Sequence, residues 1–310
     1  IRLSGRAFPR LPDGTDRELT VPRVAYVNGR YIEHRRAAVH VEDRGYQFAD
    51  GVYEVIHLFR GRLIDEEPHL DRLDRSLGEL GIPWPISRVA LGLAMRELVR
   101  RNRYATGLVY IQITRGVAPR DHRFPTNAHS ALVMTVRPIP EFPAEMRDDG
   151  VRVITIDDLR WARCDIKSVA LLPNVLGKQA AAEAGAYEAW MCDADGFVTE
   201  GTSSNAWIVT ADGALVTRPA GPDILRGITR QAIIRLAADM NITFEERKFS
   251  REEALAAREA FLSNSSHFVT PVTAIDDTVI ANGKPGSLSA ALHDQYMAFM
   301  DATPPALSRG

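Results

Sequence analysis

Three prolines within six residues interrupt this chain near its middle. Pro138, Pro140 and Pro143 each fix the backbone φ angle and lack an N–H donor. Neither a helix nor a β-ladder continues through prolines at that density. The chain must therefore build its regular structure in two separate parts, one on each side of this break.

The proline break predicts the domain organisation. A length of 310 residues suits two ordinary domains. We predict a small N-terminal domain over residues 23–138, a proline-rich linker over 139–150 and a large C-terminal domain over 151–310. Residues 1–22 are rich in Arg, Pro, Gly and Asp and show little periodicity, so they are predicted to form an N-terminal extension.

The N-terminal part shows both strand and helix patterns. Asn28-Gly29, between two short apolar runs, is a typical turn of a β-hairpin. Leucines recur at helical spacing from Leu70 to Leu80, and Gly81 ends that pattern. Further patterns predict a helix over 86–102, with Val89, Leu93, Met95 and Leu98, and strands over 51–58, 108–114 and 131–136.

The C-terminal part mixes the same two kinds of pattern. Turn signals at 193–196 and 211–213 predict four consecutive strands arranged as a meander. A proline at the first helical position and Gly185 at the end predict a helix over 173–184. Further patterns predict strands over 151–156 and 260–263 and helices over 228–240 and 251–257. The predicted fold class is therefore α+β, or mixed α/β, in two domains.

Charge and composition exclude several classes of protein. The 38 basic and 40 acidic residues give a net charge of −2, whereas a general nucleic-acid-binding protein needs a basic surplus. No apolar run approaches the ~20 residues of a membrane-spanning helix. The eight histidines are scattered and two cysteines are too few for a four-thiolate centre, so no metal site is predicted. Such sparse cysteine usage makes the cytoplasm the expected compartment.

One lysine stands out because arginine has replaced lysine almost everywhere else. Lys167 is the only lysine among the first 177 residues. A solvated surface charge is the common interpretation of any lysine. An amine can, however, react with an aldehyde, which a permanently protonated guanidinium cannot do. We therefore predict amine chemistry at Lys167, at the end of a polar-flanked strand, and interpret the alternative, Lys178, as a residue on a helix surface.

Four segments concentrate residues that carry chemistry. They span residues 43–55, 115–125, 161–168 and 198–205. Together, and in this order, they resemble the motifs of the fold type IV pyridoxal-phosphate aminotransferases, and within these the D-amino acid aminotransferases. The resemblance covers the chain from about residue 23 to the C-terminus. It implies the two-domain fold type IV architecture and pyridoxal 5'-phosphate as the cofactor.

The resemblance also implies which residues contact the cofactor aldehyde and ring. Lys167 matches the lysine that forms a Schiff base with the aldehyde. Glu200, otherwise a turn carboxylate, matches the group that pairs with the protonated pyridine nitrogen and so keeps the ring electron-withdrawing. Leu225 matches a residue that packs on the ring face, and Ser203 and Ser204 are expected to bind the cofactor beside it.

A separate set of residues matches the phosphate-binding groups of that family. Arg72 matches the phosphate-binding arginine, although an arginine on a helix is commonly solvated. Ile228 and Thr229 open a predicted helix, where free backbone N–H groups attract anions. The hydroxyls of Thr229 and Ser265 are expected to complete the phosphate site, with a loop residue as the alternative interpretation of Ser265.

The substrate carboxylate is expected to meet three further residues. The resemblance assigns it to Tyr53, Arg120 and His122, with Arg120 and His122 reaching the site from a neighbouring subunit. An arginine fork can bind a carboxylate through two parallel hydrogen bonds. The predicted assembly is therefore a homodimer with active sites shared across its interface.

The predicted activity is transamination between a D-amino acid such as D-alanine and a 2-oxo acid such as 2-oxoglutarate. It would give pyruvate and D-glutamate. The alternatives within the same cofactor chemistry are a branched-chain L-amino acid aminotransferase and an enzyme like aminodeoxychorismate lyase. The alternative from a different class is a non-catalytic pyridoxal-phosphate-binding protein.

Overall fold

Two β-sheets with flanking helices make up the part of the chain that the structure, a computed structural model, describes: residues 23–139 and 142–306. This arrangement confirms the predicted α+β class. The predicted extension over residues 1–22 lies outside the described residues. Within the described ranges, no helix has the length and hydropathy that crossing a lipid bilayer requires.

The first sheet is antiparallel throughout. Its strands are β1 (Val24–Val27), β2 (Arg30–Glu33), β3 (Gly51–Phe59), β4 (Arg62–Leu63), β5 (Gly107–Thr114) and β6 (Ala131–Arg137). Their order across the sheet is β2-β1-β6-β5-β3-β4. The predicted hairpin is confirmed, because Asn28 and Gly29 adopt positive φ angles between paired β1 and β2, as such a tight turn requires.

Helices cover one face of this sheet and form the first hydrophobic core with it. They are α2 (Glu66–Leu80) and α3 (Arg88–Asn102). The short helix α1 (Arg44–Phe48) contributes no residue to this core and lies beside Thr114 of β5, and a 3₁₀ turn lies at His34–Arg36. The leucine pattern predicted α2 correctly, since Leu70, Leu73 and Leu77 are all buried. Gly81, at φ +59°, ends the helix in the left-handed conformation that glycine adopts without a steric cost.

The predicted second helix forms as α3, but part of its apolar pattern was wrongly interpreted. Val89 and Leu93 are 76% and 66% exposed. The face that packs on the sheet instead carries Leu91, Met95 and Leu98. Residues 91, 95 and 98 keep the spacing of one helical face, whereas 89 and 93 lie on the opposite side.

The second sheet is larger and mixed. Its strands are β7 (Val151–Asp157), β8 (Glu188–Cys192), β9 (Val198–Gly201), β10 (Asn205–Val209), β11 (Leu215–Thr217), β12 (Phe244–Glu246), β13 (Glu259–Asn264), β14 (Phe268–Ile275) and β15 (Thr278–Val279). The order is β12-β11-β10-β13-β14-β7-β8-β9, with β15 paired to β14. The helices of this part are α4 (Ala144–Asp148), α5 (Leu172–Glu183), α6 (Ile228–Asp239), α7 (Arg251–Leu255) and α8 (Ser287–Ala302).

The predicted four-stranded meander is wrong. The β8–β9 pair and the β10–β11 pair lie apart in the sheet, with β13, β14 and β7 between them. Both turns were predicted correctly, but β10 pairs with β13 over Asn205–Val209 and Glu259–Ser263 rather than forming a ladder with β9. The short turn from β9 to β10 is stabilised by a hydrogen bond from the Gly201 N–H to Ser204 O at 2.7 Å.

The predicted linker contains the short helix α4, which follows Pro143. The division into domains over 23–138 and 151–310 stays a prediction, because contacts also cross it. The Ala306 N–H donates to Gly61 O at 2.9 Å, and Arg96 Nε donates to Ala306 O at 3.0 Å. The end of the described chain thereby packs against the first sheet.

The two leucines Leu73 and Leu93 provide a matched test of this core. Leu73 is fully buried and Leu93 is exposed. We expect Leu73→Ala to lower the free energy of unfolding by about 2–5 kcal/mol through lost burial and a residual cavity. Leu93→Ala is expected to change it by less than about 0.5 kcal/mol. Urea unfolding of both variants checks this, and equal losses would contradict the described orientation of α3.

Candidate active site

A cavity of about 230 Å³ opens between the two sheets. Residues from both parts of the chain line it. The lining includes most of the residues predicted to form the site, namely Tyr53, Arg72, Lys167, Glu200, Ser203, Ser204, Leu225, Ile228, Thr229 and Ser265. Arg120 and His122 do not line it.

Lys167 does not end a strand, contrary to the prediction. It lies in an irregular segment that a single bridge attaches to the edge of β3. Its carbonyl accepts a hydrogen bond from the Tyr53 N–H at 3.0 Å, and the Val169 N–H donates to Gly51 O at 3.0 Å. Lys167 Nζ lies 4.3 Å from the centre of the Tyr53 ring. The backbone is thus fixed on the first sheet while the amine projects into the cavity.

The alternative lysine is engaged elsewhere. Lys178 lies on α5 and does not line the cavity. Its ammonium donates to Tyr187 O and lies 3.6 Å from Glu188 Oε1. These contacts agree with the interpretation of Lys178 as a helix residue outside the amine chemistry.

Glu200 presents a buried carboxylate to the cavity. Arg160 Nη1 and the Leu225 N–H (3.0 Å) donate to Oε1, and Asn205 Nδ2 donates to Oε2 at 2.9 Å. Burial raises the pKa of Glu200 above its ordinary value, and the positive charges of Arg160 and Lys167 oppose that rise. With one donor on Oε2, the carboxylate retains acceptor capacity for a further N–H group.

Arg72 is held by a buried ion pair beneath the cavity. Its Nε and Nη2 donate to the two oxygens of Glu54 at 2.7 and 2.8 Å, and Nη1 donates to Arg226 O at 3.0 Å. His69 Nδ1 lies 2.7 Å from Glu54 Oε2. Although burial opposes it, the Arg72 guanidinium holds the pKa of Glu54 well below its usual range. Of the five N–H groups of Arg72, two remain for an anion in the cavity.

The N-terminus of α6 adds further donors beside Arg72. Ile228 and Thr229 begin the helix, and its N-cap residue, Gly227, provides no side-chain cap. A Cβ atom at Gly227 would overlap Asn205 Oδ1, so this position requires glycine. Free helix N–H groups next to a guanidinium form an anion site, and this donor set fits a phosphate group.

His57 supports the neighbouring turn between β13 and β14. Its Nδ1 donates a hydrogen bond to the carbonyl oxygen of Ser265 at 2.9 Å, and its ring packs edge-on against Phe268 at 4.7 Å. Burial lowers the pKa of His57 to about 4. A neutral histidine on the first sheet thus holds the carbonyl of a candidate phosphate-binding residue on the second.

Ser203 and Ser204 line the cavity, but a buried carboxylate binds their hydroxyl groups. The hydroxyls donate to Glu188 Oε2 at 2.8 and 3.4 Å, and Thr202 Oγ1 donates to Glu188 Oε1. Glu188 is fully buried. It therefore fixes the turn between β9 and β10 that follows Glu200.

Arg120 and His122 lie on an exposed loop and pack on the ring of Phe48. The Arg120 guanidinium lies 4.6 Å from the ring centre, and the His122 ring lies 5.3 Å from it. Asp50 stabilises the base of this loop by accepting from Arg115 Nε at 2.7 Å and Arg44 Nε at 2.8 Å. The pair is thus held in one place but outside the cavity of its own chain.

Comparison with known proteins shows which family this chain is similar to. Residues 51–275 match the family model described as amino-transferase class IV. The chain is 43% identical over 262 residues to the D-alanine aminotransferase of Bacillus licheniformis, covering 84% of this chain and 92% of that protein. It is 38% identical over 277 residues to the D-alanine aminotransferase of Staphylococcus epidermidis, covering 89% and 98%.

Solved structures share the fold. The branched-chain amino acid aminotransferase of Escherichia coli superposes with a TM-score of 0.83 at 24% identity, over 90% of this chain and 94% of that one. The branched-chain aminotransferase of the archaeon Thermoproteus uzoniensis, solved with norvaline, gives 0.81 at 25% identity, over 92% and 99%. The fold type IV architecture that the motifs implied is therefore confirmed as the fold class.

The pKa of His57 generates a prediction about stability. Because the folded value of about 4 lies below the ordinary 6.5, protonation favours the unfolded chain. This contribution to stability is fully present above pH 6.5 and is lost as the pH falls towards 4, by about 3 kcal/mol. His57→Gln keeps a donor for Ser265 O without a titrating ring, so its unfolding free energy should fall less over this range.

Urea unfolding between pH 7 and pH 4 measures this difference. His69 is also buried and its pKa is also lowered, so the wild type and the variant both lose stability over this range. The informative quantity is therefore the difference between their slopes of unfolding free energy against pH. His40→Gln removes an exposed histidine and is the matched control. Identical slopes for the wild type and His57→Gln would contradict the described environment of His57.

Proposed function

This chain belongs to the class IV aminotransferases, and we propose that it transfers the amino group of a D-amino acid such as D-alanine to a 2-oxo acid such as 2-oxoglutarate. The products are then pyruvate and D-glutamate. The observation that carries this proposal is that one cavity presents an amine, a buried carboxylate and an anion site. These three groups suit the aldehyde, the ring nitrogen and the phosphate of pyridoxal 5'-phosphate.

The relatives favour D-amino acids over the alternatives. The identity to the D-alanine aminotransferases is 38–43% over most of the chain. The branched-chain enzymes share the fold at 24–25% identity, which supports the L-specific alternative less well. Among the described residues, Lys167 Nζ forms no hydrogen bond or ion pair and contacts the Tyr53 ring, which favours an enzyme over a protein that only binds the cofactor.

The residues that would hold the cofactor follow from the donor set. Lys167 would bond its aldehyde carbon, Glu200 would accept from the ring N–H, and Leu225 would pack on the ring. Arg72 and the start of α6 would bind its phosphate. When bound, the cofactor supplies an electron-withdrawing ring that acidifies the α-carbon of an attached amino acid.

Lys167 has a second task once its amine is released. The neutral Nζ can accept the proton that leaves the α-carbon of the amino donor, and the ammonium can return a proton to the reacting group. The Lys167 carbonyl and the Val169 N–H fix this segment on the edge of β3, so the proton would be moved by side-chain torsions of Lys167. The neighbouring Tyr53 ring limits where Nζ can go.

We infer that the substrate carboxylate is bound across a homodimer. Tyr53 lines the cavity, whereas Arg120 and His122 lie on the exposed loop beside Phe48. Apolar side chains on α1 and α5 remain 58–76% exposed in the single chain, which suits coverage by a second copy. They are Tyr46, Leu172, Val175 and Leu176. A partner covering this face would bring its own Arg120 and His122 to the cavity.

The first test of the proposed function is a comparison of amino donors. With the enzyme loaded with pyridoxal 5'-phosphate, D-alanine should change the absorbance of the bound cofactor and release pyruvate. We expect kcat/KM for D-alanine to exceed that for L-leucine by about a hundredfold, equivalent to about 2.7 kcal/mol. Amines that lack a carboxylate should react poorly. A preference for L-leucine would contradict the proposed specificity.

The second test asks whether two chains share each site. Lys167→Ala and Arg120→Ala should each be nearly inactive alone, while Arg120→Ala should retain normal cofactor content. When the two are co-expressed, half of the dimers pair one chain of each kind and contain one complete site, so about a quarter of the wild-type activity should return. No recovery beyond the sum of the separate activities would contradict a shared site.

A further inference from the structure

A third cavity arginine has no role in the cofactor contacts described above. Arg137 ends β6 and lines the same cavity as Lys167. The other two cavity arginines are occupied: Arg72 is paired with Glu54, and Arg160 with Asp158 and Glu200. Arg137 forms no ion pair or side-chain hydrogen bond with the residues that the structure describes, so its charge remains available to a ligand.

The register of the first sheet places Arg137 on the face that carries Tyr53. Side chains alternate along a strand, so Tyr53, Val55 and His57 share one face of β3. His57 is paired with Leu108 on β5, and Leu108 is paired with Arg137 on β6. Paired residues of antiparallel strands project to the same side of the sheet.

The two ends of the cavity lie apart along this face of the sheet, one at Tyr53 and the other at His57. Four residues of strand from Tyr53 to His57 span roughly 13 Å. Lys167 Nζ lies over Tyr53, at one end, and Arg137 lies in the row of His57, at the other. The flexible Arg137 side chain covers part of this backbone distance, and a substrate that fills the remainder must be longer than alanine.

The wall between these ends suits a short methylene chain. Val55 and Leu108 supply apolar surface there, and Ser265 and Ser266 supply polar groups on the opposite side. Glu200 is the only acidic residue among the described lining residues, and Arg160 already pairs with it. The remaining charge of the cavity is positive, which favours a substrate with two carboxylates.

We propose that Arg137 is a specificity-determining residue that binds the distal carboxylate of dicarboxylic substrates, of the class of D-glutamate and 2-oxoglutarate. The inference rests on the proposed function and adds to it the residue that selects the dicarboxylic substrates. The methylene groups pack on Val55 and Leu108, and the guanidinium fork binds the second carboxylate. A short monocarboxylic substrate such as D-alanine does not use this contact.

The test compares two amino donors in the loaded enzyme. The quantity measured is the ratio of kcat/KM for D-glutamate to kcat/KM for D-alanine, from the absorbance of the bound cofactor in single turnovers. Arg137→Met should lower this ratio about 10- to 100-fold, as loss of a charge-assisted hydrogen bond predicts. Arg137→Lys should restore part of it, because lysine keeps the charge but lacks the fork. Arg30→Met, an exposed arginine of β2, should keep the wild-type ratio.

Each remaining outcome overturns the inference in a recognisable way. Unchanged kcat/KM values for both donors in Arg137→Met show that the distal carboxylate binds elsewhere. Equal losses for both donors, with unchanged cofactor content, show that Arg137 contacts the carboxylate that both substrates share. A wild-type enzyme that converts neither donor refutes the proposed function itself, whereas conversion of D-alanine with an insensitive ratio refutes only the role of Arg137.

Discussion

The buried pair between Glu54 and Arg72 is the interaction on which the rest of the site depends. It joins the centre of β3 to α2 and, through Arg226 O, to the start of α6 in the other part of the chain. A buried carboxylate and guanidinium are tolerated only when each satisfies the other with good geometry, and removing one leaves an uncompensated charge. The pair therefore fixes the orientation of Arg72, and the bond to Arg226 O joins Arg72 to the segment that precedes α6.

Further contacts between the two parts complete the cavity. The backbone of Lys167 and Val169 bonds to the edge of β3, and the His57 side chain bonds to Ser265 O. Each joins an element of the first sheet to a functional residue that follows it much later in the sequence. The positions of the Lys167 amine and of Ser265 thus depend on long-range hydrogen bonds rather than on local structure.

The sequence predicted what local rules determine and failed where long-range pairing decides. The hairpin at Asn28-Gly29 and the helix through Leu73 follow from turn chemistry and periodicity. The meander and the strand at Lys167 were wrong, because β10 finds its partner in β13 and Lys167 lies in a segment held by one bridge. The apolar pattern of α3 was also wrongly interpreted, because the sequence does not show which leucines of the helix are exposed and which are buried.

The site was predicted mainly through its motifs, and its supporting residues were missed. The motif resemblance pointed to Lys167, Glu200 and Arg72, all of which line one cavity. Glu54 lies within the motif segment over residues 43–55, yet its position in the sequence does not reveal that it pairs with an arginine on α2. Glu188 and Arg160 are likewise ordinary charged residues until the fold buries them next to the β9–β10 turn and Glu200.

The anion site at Arg72 and α6 has a consequence for how long the enzyme keeps its cofactor. Whenever Lys167 is not bonded to the cofactor, only non-covalent contacts would retain it. Besides the contacts proposed for the ring, retention would then depend on the two remaining N–H groups of Arg72 and on the start of α6. The lifetime of these contacts sets the number of turnovers that a single loading supports, and hence how strongly the enzyme depends on free cofactor in its surroundings.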